Sequence, residues 1–269
     1  MKEVIRTNYQ PTTERKEAME TYNAIWKTAR LVLVILFLAV PLAEAGDVSG
    51  KAAIAVDHAK PLKERMGAIF DLGASADESA APVLLGILRN TSEEHRIRTS
   101  AVLALANLGK PREEIIKTFE MVYDEPISTK NFRYTVLHSL GKMKAVESVP
   151  LLSAALSNED SMIRLKAVQA MGALEDESAL QVLADHLAKE GDHMVRAAAV
   201  RAAGQSRTAT AEGILAKALR SDPAPLARNN AALMLGKFKN LRPETHAAIE
   251  AARGDASPTV RDTVRRIKP

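Results

Sequence analysis

Residues 193–206 read HMVRAAAVRAAGQS, an alanine-rich stretch with the composition of a helix and one misplaced charge. With Arg196 at zero on a helix of about 100° per residue, Ala199, Val200 and Ala203 follow at +3, +4 and +7. The arginine therefore lies on the apolar stripe. A charge in that position is costly unless it is paired, so the segment calls for a partner elsewhere in the chain.

The partner question leads to a repeat. The pattern is arginine, a small residue or valine at +3, an apolar residue at +7, and glycine or alanine at +8. It occurs as RMGAIFDLG from Arg65, RTSAVLALA from Arg98, RYTVLHSLG from Arg133, RLKAVQAMG from Arg164, RAAAVRAAG from Arg196 and RNNAALMLG from Arg228. A truncated copy begins at Arg261. Successive arginines are 33, 35, 31, 32, 32 and 33 residues apart, and a fixed period in this range marks a stack of supersecondary units. Between copies lies a second amphipathic pattern, as in ESVPLLSAALSNED (147–160) and ESALQVLADHLAKEGD (177–192). Each unit thus reads as two helices joined by a polar turn. Asp160, Asp192, Asp222 and Asp255 fall four to six residues before the next arginine, where they are placed to cap the coming helix.

IRLKAVQAMGAL followed by ALQVLADHLAKEGD resembles HEAT repeats, specifically the short bacterial phycobilin-lyase-type (PBS lyase HEAT-like) repeat. The resemblance spans roughly residues 61–269. It implies an all-α, α-α superhelix, an armadillo-like right-handed solenoid of six repeats and a terminal half-repeat. It also implies a structural ladder along the stack, built from Arg65, Arg98, Arg133, Arg164, Arg196, Arg228 and Arg261 with aspartates such as Asp160 and Asp192. Arg196 would pair with Asp192 or with an aspartate of a neighbouring repeat. Arg98 departs in having Ala106 at +8, with glycine only at Gly109. Arg65 lacks a nearby acid, as a capping repeat would. Elementary packing agrees: helix pairs cannot bury their stripes alone, and small residues at the seam let neighbours approach.

Composition sets the bounds. Of 269 residues, 46% are hydrophobic and only 4% aromatic, so alanine, leucine and valine must supply the core. The absence of cysteine excludes disulfides, thiolate chemistry and cysteine-ligated zinc. The net charge of +4 is mild and interspersed, unlike a nucleic-acid surface. Residues 27–46, KTARLVLVILFLAVPLAEAG, carry basic residues, ten apolar residues, a proline and a small-residue cleavage site before Gly46. This is the layout of a secretory signal peptide, with an uncleaved membrane anchor as the alternative. The stretch before the apolar run is long for a leader, and Met19 would give a more ordinary start. Residues 1–45 are accordingly set apart from a repeat domain at 46–269. The protein is expected in the periplasm or secreted, or anchored in the inner membrane facing the periplasm.

Chemistry is sparse. The six histidines are scattered, with no His-Glu dipeptide of the kind used by HEAT-repeat di-iron hydroxylases. No Walker loop, nucleophile elbow or dinucleotide fingerprint is present. No catalytic, metal or cofactor residues are therefore expected, and the chain reads as a non-enzymatic scaffold whose partner is another protein. Nucleic acid is excluded, and membrane contact is limited to an uncleaved N-terminus. The alternatives are an auxiliary subunit or lyase- or chaperone-like protein acting on a cofactor-bearing partner, and a membrane-anchored adaptor. Outward positions of the second helices, Lys117, Ser153, Asp185, Lys217 and Glu250, alternate in sign and include no aromatic. Residues 119–138 gather Phe119, Tyr123, Phe132 and Tyr134, which are either core or a partner-binding cluster.

Overall fold

Fourteen α-helices and no strand make up residues 46–267, the part of the chain that the computed structural model describes. An initial helix, α1 (Gly46–Val56), is followed by six helix pairs and a final helix. The pairs are α2 (Leu62–Ala74) with α3 (Ala81–Arg89), α4 (His95–Leu108) with α5 (Arg112–Tyr123), and α6 (Lys130–Lys142) with α7 (Val149–Ala155). They continue as α8 (Ser161–Leu174) with α9 (Glu177–Leu187), α10 (His193–Ala203) with α11 (Ala209–Ser221), and α12 (Pro225–Leu235) with α13 (Pro243–Ala251). The last helix is α14 (Pro258–Val264). The signal-peptide reading of residues 1–45 falls outside the described residues.

The sequence starts these helices by two local devices. Thr129, Asp160, Asp176, Asp192 and Thr208 cap their helices, each side chain accepting a backbone N–H of the first turn. Proline stands in the first turn of α3, α7, α12, α13 and α14, where its missing N–H costs nothing. The turn inside each of the first five pairs contains a left-handed residue, eleven positions after the arginine: Ala76, Gly109, Lys144, Glu175 and Arg207, with φ of 57°, 70°, 49°, 54° and 51°.

Arginine-bearing helices pack on one another in sequence, α2 on α4, α4 on α6 and so on to α12 on α14. The +8 glycines make that approach possible. A Cβ placed on Gly172 would lie 2.5 Å from the Ala202 Cβ, and one on Gly141 would lie 2.8 Å from the Ala170 Cα. Ala104, Ala170, Ala202 and Met234, six positions after their own arginines, are what the glycines of the preceding repeats meet. Alanine, leucine, isoleucine and valine from both helices of each pair form the core between them.

Candidate functional site

The most elaborate polar feature is the column of arginines. In α8 the Arg164 Nε and Nη2 donate to Glu190 at 2.8 and 3.0 Å, while Nη1 donates to the Asn158 and Glu159 carbonyls. Arg196 repeats the geometry, with Nε and Nη2 at 3.1 and 2.6 Å from the Asp222 carboxylate and Nη1 on the Leu187 and Glu190 carbonyls. Arg228 does the same with Asp255, at 2.7 and 2.9 Å, and with the Asp222 and Pro223 carbonyls. Arg261 closes the column on the Asp255 and Ala256 carbonyls.

One residue therefore serves two arginines. The side chain of Glu190 accepts from Arg164 and its carbonyl from Arg196; Asp222 and Asp255 are shared in the same way. Arg164, Glu190, Arg196, Asp222, Arg228, Asp255 and Arg261 form one unbroken chain of fork-like, charge-assisted bonds. Each shared carboxylate also accepts a backbone N–H two residues on, from Asp192, Ala224 or Ser257.

The first three arginines are wired differently. Their Nε donates to a carbonyl ten residues back: Ala55 for Arg65, Leu88 for Arg98 and Tyr123 for Arg133. Arg65 then grips Glu93 at 3.1 and 2.7 Å, both side chains being buried. Arg98 reaches Glu125 at 2.6 Å and lies over the Phe132 ring, 5.1 Å from its centroid. Arg133 has a Tyr123 ring beneath it at 5.6 Å and no carboxylate in ion-pair reach among the described residues. The position six before Arg164, where the later repeats place their shared acid, is Asn158.

Three expectations about this column are corrected. The side chains of Asp160 and Asp192, four residues before their arginines, do not bond those guanidinium groups. They cap α8 and α10 through their Oδ1 atoms, and Asp160 also pairs with Lys130. Asp222 and Asp255, six before, are shared rungs and not helix caps. Arg65 has its acid after all, in Glu93. The sequence reading missed Glu93, Glu125 and Glu190 because it looked for aspartate near each arginine. The available signal was an acid of either kind 26–28 residues after one.

Burial pushes the Glu190 carboxyl up, but hydrogen bonds from Arg164 and the Asp192 N–H, with the charges of Arg164 and His186, bring it below the ordinary range. Glu93 follows the same balance: burial raises it, and Arg65, the Glu94 N–H and the nearby His58 lower it further. Asp255 is lowered chiefly by its hydrogen bond from Arg228. His186, 2.9 Å from Glu190, is pushed down mainly by its own burial.

The aromatic cluster is core. Phe119 and Phe132 are wholly buried and Tyr123 is buried; Tyr134 is partly buried against the same cluster. Phe132 lies between His95 and Arg98, its ring 5.4 Å from the imidazole. Phe119, Tyr123 and Phe132 are thus withdrawn into the core, and Tyr134 is half-exposed at its edge. On the second helices Lys117, Asp185, Lys217 and Glu250 are exposed and Ser153 is half-buried, so their mixed charge does face solvent. Among the described residues no three His, Asp or Glu side chains converge as a metal site would require. No helix among them is long and apolar enough to cross a membrane.

A family model describing HEAT repeats matches residues 128–203 and 187–266, which together cover the whole of the unbroken arginine chain. The chain belongs to the HEAT-repeat family. No curated protein matches it. Among solved structures it is similar to the complex of CpcE and CpcF of phycocyanin lyase from Nostoc, at 17% identity and a TM-score of 0.49, over 86% of this chain and 97% of that one. Human deoxyhypusine hydroxylase matches at 22% identity and a TM-score of 0.39, over 82% and 94%. An engineered protein matches at 17% and 0.35, again over 82% and 94%. The expectation of a non-enzyme is corrected by this set: a hydroxylase and a lyase are among the structures matched, so HEAT-repeat membership does not exclude catalysis.

Proposed function

We propose that this HEAT-repeat chain is a protein-interaction scaffold that works after export to the periplasm, on its membrane face if residues 1–45 are retained. One observation supports the interaction reading above the rest. Met162, Met194 and Leu226 each stand two residues before a ladder arginine, in three successive repeats, and are 43%, 53% and 41% exposed. They recur at one register of three successive arginine-bearing helices as a periodic set of exposed apolar side chains. Methionine in such a set adapts to varied partner shapes, and a solenoid presents successive positions over a long surface. Export is supported by the composition of residues 27–46.

The test is capture in the native host. A photo-crosslinking residue at Met194 in the C-terminally tagged full chain should trap one stoichiometric exported protein. Met162→Asp with Leu226→Asp should abolish the capture while the melting temperature holds. A bait that begins near Gly46 supports cleavage and export. A bait that traps no protein but carries a bound cofactor overturns the scaffold reading.

A further inference from the structure

The turns inside the helix pairs are stitched together by charge along most of the stack. Lys110 pairs with Glu78 at 3.2 Å, Arg112 with Glu147 at 3.1 Å, and Lys144 with Glu175 at 2.9 Å. Thr210 then bonds Glu177 in the next turn. At each of these junctions a glutamate of one turn satisfies a donor of its neighbour.

The junction between the turns after α10 and α12 keeps this rule through Glu212, but it also gathers further cations that Glu212 does not reach. A cavity of about 460 Å³ opens there, lined among others by Arg207, Lys237, Phe238, Lys239, Arg242 and Glu212. Glu212 is 4% exposed and already spent: it accepts from the Arg242 N–H at 2.8 Å, the Arg242 Nε at 3.1 Å and the Thr245 hydroxyl at 2.5 Å. Arg207, Lys237 and Lys239 are exposed, and none has an ion-pair partner among the described residues. Arg207 and Lys239 occupy the register that holds the Lys144–Glu175 pair two repeats earlier, but here both residues are cations. Phe238 is half-buried against the core and forms an apolar wall among them.

We infer that this cavity receives an acidic peptide segment of a partner protein, its carboxylates taking the place of the acid that Glu175 supplies to Lys144 two repeats earlier. The inference rests on the scaffold reading and names a chemistry for part of the partner. Carboxylate is the favoured anion because it is what satisfies the turn cations at the preceding junctions. A volume within the range of about 300–1,000 Å³ usual for ligand sites suits two or more side chains around an apolar one, the latter against Phe238. A phosphate loop is not built here: no glycine lines the cavity, and Thr208 already takes a first-turn N–H of α11.

The experiment is fluorescence anisotropy on the full chain with a labelled peptide of alternating glutamate and leucine, and with inorganic phosphate as competitor. Saturable binding is expected. It should weaken roughly tenfold in Lys237→Glu/Lys239→Glu, stay unchanged in Lys217→Glu, and fall as salt rises from about 50 to 200 mM. Lys239→Gln, which removes charge without reversing it, should give an intermediate loss. Absence of peptide binding, binding indifferent to the two lysines, or phosphate binding without peptide binding overturns the proposal. A partner trapped at Met194 alongside any of these results would overturn the cavity reading alone and leave the scaffold reading standing.

Discussion

The two halves of the stack solve one problem, a buried or half-buried arginine in every repeat, in two ways. From α8 to α12 each arginine-helix guanidinium turns its Nε side to a carboxylate and gives Nη1 to backbone carbonyls before its own helix, and Arg261 of α14 keeps only the carbonyl contacts, so every shared acid joins two repeats. From α2 to α6 the Nε is spent on the carbonyl ten residues back, and Arg65–Glu93 and Arg98–Glu125 are separate rungs. Among the described residues Arg133 has no carboxylate in ion-pair reach. The physical cause is one column of residues. Six before the arginine stand Glu190, Asp222 and Asp255 in the later repeats, but Asn158, Ile127 and Ser92 in the earlier ones. The family match covers the half where that column is acidic.

The largest effect should come from cutting the unbroken chain. Arg196→Ala leaves the Asp222 carboxylate buried and unpaired and should cost about 3 kcal/mol. Arg133→Ala, which strands no acid, should cost about 1 kcal/mol. Denaturant melts of the two variants give the comparison, and equal losses would erase the distinction between the halves.

The glycine seam offers a second contrast. Gly172→Ala drives a Cβ against Ala202 and should cost about 1–3 kcal/mol as α8 and α10 separate. Gly67→Ala meets nothing within 4 Å in the helical interior of α2 and should gain about 0.5–1 kcal/mol. Thermal melts with opposite signs are expected. A loss at Gly67 would mean that space is not what separates the two sites.

Acid should act next. Glu93, Glu190 and Asp255 hold their protons less tightly when folded, so their contribution is complete above the ordinary carboxylate range near 4 and is lost as pH falls through their lower folded values. Stability should stay level from about pH 7 to 5 and then decline. Hydrogen exchange should lose protection around residues 188–192 and 252–257 before residues 156–160, where no shared acid exists. Uniform loss would contradict the rung assignment.

Much of this was legible in the sequence, and the gaps have physical reasons. The 31–35-residue period exposed the helix pairs, and glycine at +8 marked the seam, because close helix approach admits few residue types. Asp192 lay within the correct loop but was misassigned, since an aspartate four or six residues before an arginine looks alike on paper. Only backbone geometry separates a cap, whose carboxylate turns to its own helix, from a rung, whose carboxylate turns back to the previous repeat. The cluster at Phe119 and Phe132 was ambiguous because aromatic side chains serve cores and interfaces equally. The cavity beside Arg207 and Lys239 was invisible for another reason. An unmatched charge shows only when its neighbours across the stack are known.

The smallest effect would repair the gap. Asn158 Oδ1 already accepts the Asp160 N–H at 2.9 Å, the same contact that Asp222 makes with Ala224. Asn158→Asp would install the missing acid in place and should stabilise by up to about 1 kcal/mol. A lower melting point would show that Arg133 cannot leave Tyr123 to meet it.

The most direct measurement is a double-mutant cycle on Arg196→Ala and Asp222→Ala in the full chain, read by equilibrium denaturation. A shared, buried rung predicts a coupling of about 1.5–3 kcal/mol. Additive losses, with no coupling between the two residues, would contradict the claim that this column of arginines and acids ties the repeats together.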